Sequence, residues 1–346
     1  MSVGIYTHYA RCDEAYLALR LAEFLRGVDE PFELFSDTPP ARLGSGYDSR
    51  IKHRGKVKFT EWARTKRVIL WTGVPAIEQL NYAKRHGIKT IVAPMWQELE
   101  LPFRRSLRAA DVVVSFSMEC RELYRNIYKF KNSTLIPFDP GIPASKKEKP
   151  VDHKKIKIFL PWFDRNARCT HVEFIAEMEV LLRAMPEIHL TVGISSSKFS
   201  PAVGKFLRSL GEKTGRVNLL RNVAFLARPE IYAQNDLTIF PAECDNYGFC
   251  GLTSIACGTP IVSFGVSPQT DFIYPSSNGV LVKAQIDYDE NGVPHANPDY
   301  SRFFEAVQAL VAEPKYIETM NARVNYNLSA RKKAFELGWH ELFGLV

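Results

Sequence analysis

The stretch that most constrains this chain runs from Phe240 to Val282, FPAECDNYGFCGLTSIACGTPIVSFGVSPQTDFIYPSSNGVLV. Leu237 to Phe240 reads as a strand. A polar loop follows, then a short helix ending near Gly258, a strand from Pro260 to Phe264, a glycine-bearing loop and a last Gly-Val-Leu-Val strand. Such a unit points the N-terminus of its helix at whatever sits above the sheet. Gly248 lets the chain turn tightly, and the amides of Phe249, Cys250 and Gly251 are then first-turn donors with no partner inside the helix. An anion such as a diphosphate suits that position. Asp245 opens the loop and Thr253 lies eight positions later, about two helical turns on. Carboxylate and hydroxyl can thus both face a ligand that carries hydroxyls.

The rest of the chain repeats the alternation. Val3 to Tyr6, Phe32 to Phe35, Val68 to Trp71, Lys89 to Ala93, Asp111 to Phe116 and Ser133 to Ile136 read as strands. A helix reaches about Arg26, with Ala18, Leu21, Ala22 and Leu25 on one face and Gly27 as its stop. Another spans Ala76 to His86 and closes at Gly87, and a third lies around Glu119 to Tyr128. Strands alternating with helices imply a parallel sheet covered on both faces, whose ligands sit beyond the strands' C-terminal ends. His8, Asp13 and Met95 to Gln97 fall at such ends. Residues 144–155, ASKKEKPVDHKK, are charged and without periodicity and read as a linker. Alternation then resumes with strands at Ile156 to Leu160 and His189 to Val192. Between them Phe174, Met178, Leu181 and Leu182 form a helical face. Asp287 to Pro298 reads as an insertion in a surface loop, and Arg302 to Val311 and Lys315 to Phe343 as helical.

A length of 346 residues suggests two cores. No apolar run is long enough to span a membrane and the N-terminus carries no secretory pattern, so a cytoplasmic protein is expected. The six cysteines form no C-x-x-C pair and no Cys/His metal spacing, and they read as reduced thiols. The net charge of +7 points to polyanions: nucleic acid, an anionic membrane surface or an acidic glycan. That charge is concentrated between Arg42 and Arg67, where Asp48 and Glu61 are the only acids. Arg50, Lys52, Arg54, Lys56 and Lys58 are its candidate acceptor contacts, against the plainer reading of a solvated loop. Phe59 and Trp62 within it either offer a stacking platform for bases or anchor the loop to the core.

The Phe240–Val282 stretch resembles the donor-binding segment of retaining GT-B glycosyltransferases of the family-4-like group. Pro241, Asp245, Tyr247 and Gly248 match its P-S-x-x-E-G-F-G run, and Leu252, Ala256, Cys257, Gly258, Thr259, Pro260, Ile261 and Val262 its L-E-A-M-A-x-G-x-P run. Gly265, Pro268, Asn278 and Gly279 match the remainder. Two positions depart. Asp245 replaces the glutamate that contacts sugar hydroxyls in the family, and Thr253 the glutamate that holds the ribose. Some phage-borne enzymes of this architecture glycosylate hydroxymethylated bases in DNA.

The resemblance implies the GT-B fold: two Rossmann-like domains facing across a cleft, with a C-terminal helix crossing back to the first. The expected divisions are 1–143 for acceptor binding, 144–155 as linker, 156–325 for the nucleotide sugar and 326–346 for the returning helix. Trp339 and Phe343 are candidate anchors of that helix. The resemblance also implies transfer of a sugar, with retention, from a nucleotide-diphosphate donor to an acceptor hydroxyl, without a metal or other cofactor. Arg165 and Arg168 would grip the diphosphate together with the amides around Gly248 to Gly251. Asp245 would orient the sugar. Tyr247, Gly248, Phe249, Cys250, Gly251 and Thr253 line the donor site, and Ser195, Phe225 and Leu226 lie in the two loops that flank the base in relatives.

On the acceptor side, His8 is a candidate base or acceptor contact, or else a structural residue. Asp13 either deprotonates the acceptor or caps the helix that follows. Trp96 either stacks on a sugar or base or packs beneath the site. The favoured acceptor is polyanionic, with hydroxymethylated DNA ahead of an anionic lipid or glycan. A nucleotide-sugar 2-epimerase and a catalytically silent sugar-nucleotide binder are the alternatives of other classes. A dehydrogenase is excluded because no G-x-G-x-x-G follows the first strand, and no Walker A, G-x-S-x-G or H-E-x-x-H motif occurs.

Overall fold

A computed structural model describes residues 2–7, 12–36, 52–53, 57–96, 99, 101–144, 150–162, 172–194, 201–221, 229–323 and 327–345. The chain divides into two compact units. The first comprises Met1–Phe138, Asp289–Val293 and Arg331–Val346, and the second Asp139–Tyr288 and Pro294–Ala330.

The first unit is a parallel sheet of seven strands: β1 (Ser2–Thr7), β2 (Phe32–Ser36), β3 (Lys52–His53), β4 (Lys66–Trp71), β5 (Lys89–Val92), β6 (Val112–Ser115) and β7 (Ser133–Leu135), in the order β3-β2-β1-β4-β5-β6-β7. The strands between β1 and β6 are short apolar runs buried along most of their length, as expected for strands covered on both faces. Helices α1 (Cys12–Gly27), α2 (Phe59–Ala63), α3 (Ile77–Arg85), α4 (Leu101–Leu107) and α5 (Met118–Glu122) connect them, and a π-helical turn, Leu123–Ile127, extends α5. The apolar face of α1 lies as the periodicity indicates, with Ala18, Leu21 and Leu25 fully buried. The helix stops at Gly27, but the left-handed residue is Asp29, at φ 53°.

The second unit has a parallel sheet of six: β8 (Ile156–Trp162), β9 (Ile188–Ile194), β10 (Val217–Arg221), β11 (Leu237–Phe240), β12 (Ile261–Phe264) and β13 (Gly279–Val282), in the order β10-β9-β8-β11-β12-β13. Around it lie α6 (Val172–Ala184), α7 (Pro201–Thr214), α8 (Pro229–Ala233), α9 (Phe249–Ala256), α10 (Tyr300–Ala312) and α11 (Pro314–Arg323). Its core joins Phe174, Met178, Leu181 and Leu182 of α6 to Phe264 and to Phe303, Phe304 and Val307 of α10.

Four assignments differ from the sequence reading, the last of them at the C-terminal helix. The division falls after Phe138, because Phe138 itself is a core residue packed edge-on against Phe116 and Phe335. The described part of the expected linker belongs to the second unit, where Val151 joins the core. Residues 287–298 are no loose insertion. They lie in an antiparallel hairpin of β14 (Gln285–Tyr288) and β15 (Pro294–Asn297), and its tip, Asp289–Val293, is part of the first unit.

That tip is tied in by specific groups. Val293 is fully buried, Asn291 Oδ1 accepts from Arg104 at 2.6 Å, and the Asn291 carbonyl accepts from the Tyr128 hydroxyl at 2.8 Å. Arg104 also lies 4.0 Å from the centre of the Tyr128 ring. Burial pushes the Tyr128 phenol up to about 12, keeping it a hydrogen-bond donor.

The last helix, α12 (Leu328–Phe343), belongs to the first unit from Arg331 onward rather than from 326. Trp339 is fully buried and stacks on Phe343 at 5.4 Å, while Arg20 caps the Phe335 ring at 5.1 Å. Lys89 donates to the carbonyl of Leu342 at 2.6 Å, and Arg67 to that of Phe343.

Candidate functional site

In the second sheet the strand order reverses between β8 and β11, which pair directly through Leu237 with Ile158 and Thr238 with Phe159. Ligands of open parallel sheets collect outside the strand ends at such a switch point. The segments leaving these two strands are the ones the sequence reading assigned to a diphosphate: residues 163–171 after β8, and the loop into α9 after β11. Arg165 and Arg168 lie outside the described residues, as do Ser195, Phe225 and Leu226.

The loop into α9 is described in full. Gly248 adopts φ 73°, the left-handed conformation that glycine tolerates, and α9 begins at the next residue. A Cβ at Gly248 would stand 2.3 Å from the Phe272 ring, and one at Gly251 would stand 2.7 Å from it. The Phe272 ring therefore lies flush against the first turn, and both positions need hydrogen in place of a side chain. Every residue of α9 is buried. Beneath it a chain of hydrogen bonds fixes its seat: Ser254 donates to Thr259 O at 2.8 Å and contacts Thr238 Oγ1 at 2.6 Å, and Thr259 donates to Tyr232 O at 2.8 Å. A helix held this rigidly presents first-turn amides at fixed positions, and those amides have no carbonyl within the helix to bond. They favour a negative charge, as does the positive end of the helix dipole.

Asp245 is half-buried and its carboxylate is enclosed by donors. Oδ1 accepts from the Tyr247 amide at 3.3 Å and Oδ2 from Gln269 Nε2 at 3.3 Å. Burial pushes its pKa up to about 6, against the opposing pull of the amides of Gly248, Tyr247 and Asn246. Gln269, fully buried in the loop after β12, was not singled out in the sequence. Thr253 is 2% exposed and its Oγ1 is buried without a hydrogen-bond partner, so its hydroxyl keeps its full bonding capacity. Tyr247, Phe249 and Cys250 are buried. Cys257 is buried as well, and burial pushes its thiol up to about 12, leaving it unreactive.

In the first unit the switch point lies between β1 and β4. His8 falls outside the described residues, and for Asp13 only the backbone, in α1, is described. The described carboxylate at this point is Glu14, 1% exposed, whose Oε1 lies 2.2 Å from where a Cβ on Gly73 would stand. Spacing gave no sign of it, because Glu14 looks like any acid in a first helical turn.

Of the two alternatives given for Trp96 and for Phe59 and Trp62, the structure selects packing in each case. Trp96 is 1% exposed inside the core cluster and has no ring face to offer an acceptor. Phe59 and Trp62 do not form a stacking platform: Trp62 is buried, packs 5.0 Å from Phe35, and both rings join Tyr6 in one aromatic cluster. Of the basic run, Lys58 is exposed, while Arg50, Arg54 and Lys56 fall outside the described residues and Lys52 is described only as backbone of β3. Lys66 and Arg67 serve the fold. Lys66 is buried against Glu33 at 2.8 Å, and Arg67 pairs with Glu30 at 2.9 Å. Among the described residues no cluster of three or more His, Cys, Asp or Glu is placed to hold a metal, and no helix is long and apolar enough to cross a membrane.

Two parallel-sheet α/β units of this topology define the GT-B fold, and solved structures show the likeness along the chain. Sucrose-phosphate synthase from Thermosynechococcus elongatus matches 100% of this chain over 99% of its own, with a TM-score of 0.69 and 14% identity. HepE of Anabaena, solved in complex with UDP and glucose, matches 99% of this chain over 99% of its own, with a TM-score of 0.65 and 12% identity. A chain of the GtfA/B complex matches 83% of this one at a TM-score of 0.61 and 16% identity, and this chain spans only 59% of that protein's length. No protein-family model matches the sequence, and no curated protein matches it.

Proposed function

We propose that the chain is a retaining glycosyltransferase that moves a sugar from a nucleotide-diphosphate donor to an acceptor hydroxyl. The observation that carries this reading is the start of α9: a left-handed Gly248, a rigid first turn packed against Phe272, and the carboxylate of Asp245 beside it. The GT-B fold supports it, as does a neighbour of that fold that holds UDP and glucose. As the bond from the anomeric carbon to the diphosphate breaks, the electron pair leaves with the diphosphate. The amides of Phe249 to Gly251, with Arg165 and Arg168, stabilise the growing charge by fixed electrostatics, without a metal. The acceptor oxygen bonds to the anomeric carbon on the face the leaving group vacates, and its proton is released. Asp245 accepts hydrogen bonds from sugar hydroxyls and so fixes the ring's orientation.

The favoured acceptor is polyanionic, with hydroxymethylated bases in DNA first, on the strength of the +7 charge and the basic run around Lys58. The test is nucleotide release from UDP-, GDP- and ADP-sugars with and without hydroxymethylcytosine- or hydroxymethyluracil-containing DNA, followed by nucleoside mass spectrometry. A sugar-sized mass gain on the base, with activity falling steeply as salt rises, is the expected result. Release without base modification moves the acceptor to a lipid or glycan. A new nucleotide sugar formed from donor alone would mark an epimerase, and no release with any donor overturns the reading.

A further inference from the structure

Gln269 lies in the segment that leaves the C-terminal end of β12, a strand paired directly with β11. Open parallel sheets gather their ligands outside such strand ends. Its backbone is held: the Gln269 carbonyl accepts from Ile273 at 2.9 Å and from Phe272 at 3.3 Å, and the Phe272 ring lies against the first turn of α9. Its side chain is held as well, since Nε2 donates to Asp245 Oδ2 at 3.3 Å. An ionised carboxylate accepts and never donates, so this bond turns the NH2 group toward Asp245 and the amide oxygen away from it. That oxygen, Oε1, is buried without a hydrogen-bond partner. Ser267, two residues earlier, and Thr253 on α9 also end in buried hydroxyls without partners.

Interior polar atoms are nearly always bonded, so an amide oxygen fixed in this way calls for a donor that the chain itself does not supply. Oε1 only accepts, as phosphate oxygens do, so a diphosphate belongs at the first-turn amides of α9 and not here. An O–H group suits it. We propose that Gln269 contacts the donor directly and sets its sugar specificity: Oε1 accepts a hydrogen bond from one hydroxyl of the sugar, and a sugar lacking that hydroxyl is rejected. This inference rests on the donor-site reading above. Rejection follows because Oε1 is closed to bulk water, so solvent does not take the place of a missing hydroxyl.

The test crosses protein variants with donor analogues on the full chain, read as nucleotide release. UDP-, GDP- and ADP-linked glucose, galactose and mannose identify a donor that the parent chain turns over, and the monodeoxy forms of that donor locate the hydroxyl. In the parent, one deoxy form should lose about tenfold in kcat/KM. Gln269→Met keeps the length and removes the oxygen. It should cost the full donor about tenfold, abolish the difference between that donor and the one deoxy form, and leave the ratios at the other carbons within about twofold of the parent. Gln269→Glu keeps an oxygen at this place and adds charge, and is the second variant should Gln269→Met fail to fold by thermal melt. It should sharpen discrimination at the same carbon alone. Ratios unchanged at every carbon mean that a buried water meets Oε1, and ratios that shift together at every carbon mean that Gln269 acts only through its neighbours. Either result overturns the direct contact. Failure of the parent chain to release nucleotide from any of these donors overturns the donor-site reading, and this inference with it.

Discussion

At the scale of single residues, the site at the start of α9 is a contest between burial and hydrogen bonding at Asp245. Burial wins and raises the carboxyl from 3.8 to about 6. The sign follows directly. The folded protein holds this proton more tightly than the unfolded chain, so the stability it contributes is full below about 3.8 and is lost as pH rises through about 6. On the proposed function the dependence runs the other way, because protonation turns one Asp245 oxygen into a donor and leaves the carboxyl a weaker acceptor. Sugar transfer should fall as pH drops through about 6, and Asp245→Asn should have low activity without that inflection, measured as kcat/KM against pH. Gly248 is the second decisive residue. An alanine there meets both an unfavourable φ of 73° and a Phe272 carbon 2.3 Å from its Cβ. Left-handed strain alone costs about 1–2 kcal/mol, and the clash adds to it. Gly248→Ala should lower the denaturation midpoint and weaken nucleotide binding together, whereas Gly87→Ala, also left-handed but with open space around it, should lower only the midpoint.

Elements show what the sequence could and could not disclose. The strand, loop and helix from Leu237 to Gly258 were legible because the apolar runs, the glycine at the turn and the short helix all indicate one local geometry. Gln269 was not, because its meaning depends on a carboxylate 24 residues away that reaches it only through the tertiary fold. The hairpin was misread for a related reason. DYDENGVPHANP is polar and turn-rich, which describes a surface loop equally well, and only tertiary contacts give Asn291 its partners. Asn291→Ala removes the acceptor of a bond from a charged donor, Arg104, and such bonds are worth about 1.5–3 kcal/mol. The variant should lose stability of that order in urea unfolding. It should leave nucleotide affinity unchanged, since the α9 site lies in the other unit. A change within about 0.5 kcal/mol would mean that Val293 and the backbone bonds hold the tip without it.

Across the whole molecule, the first unit is built from three separated pieces, the last of them Arg331–Val346. Local patterning cannot reveal this, because α12 reads as an ordinary amphipathic helix whichever core it joins. What distinguishes it is a row of aromatic residues, Phe335, Trp339 and Phe343, all buried. Gly338 completes the fit: a Cβ there would stand 2.9 Å from Ile136, so the helix approaches the segment after β7 too closely for a side chain. The first unit is thus incomplete without the Arg331–Val346 segment, whereas the α9 site lies in the second unit. Trp339→Ala removes a fully buried indole from that junction, and truncations of this kind cost about 3–5 kcal/mol. The loss should appear in the first unit, as faster hydrogen exchange in β1, β4 and α1, while exchange in β11, β12 and α9 and the affinity for free nucleotide stay at parental values. Equal acceleration in both sheets would show that the two units unfold as one cooperative body, and the site at the start of α9 would then depend on α12 for its stability.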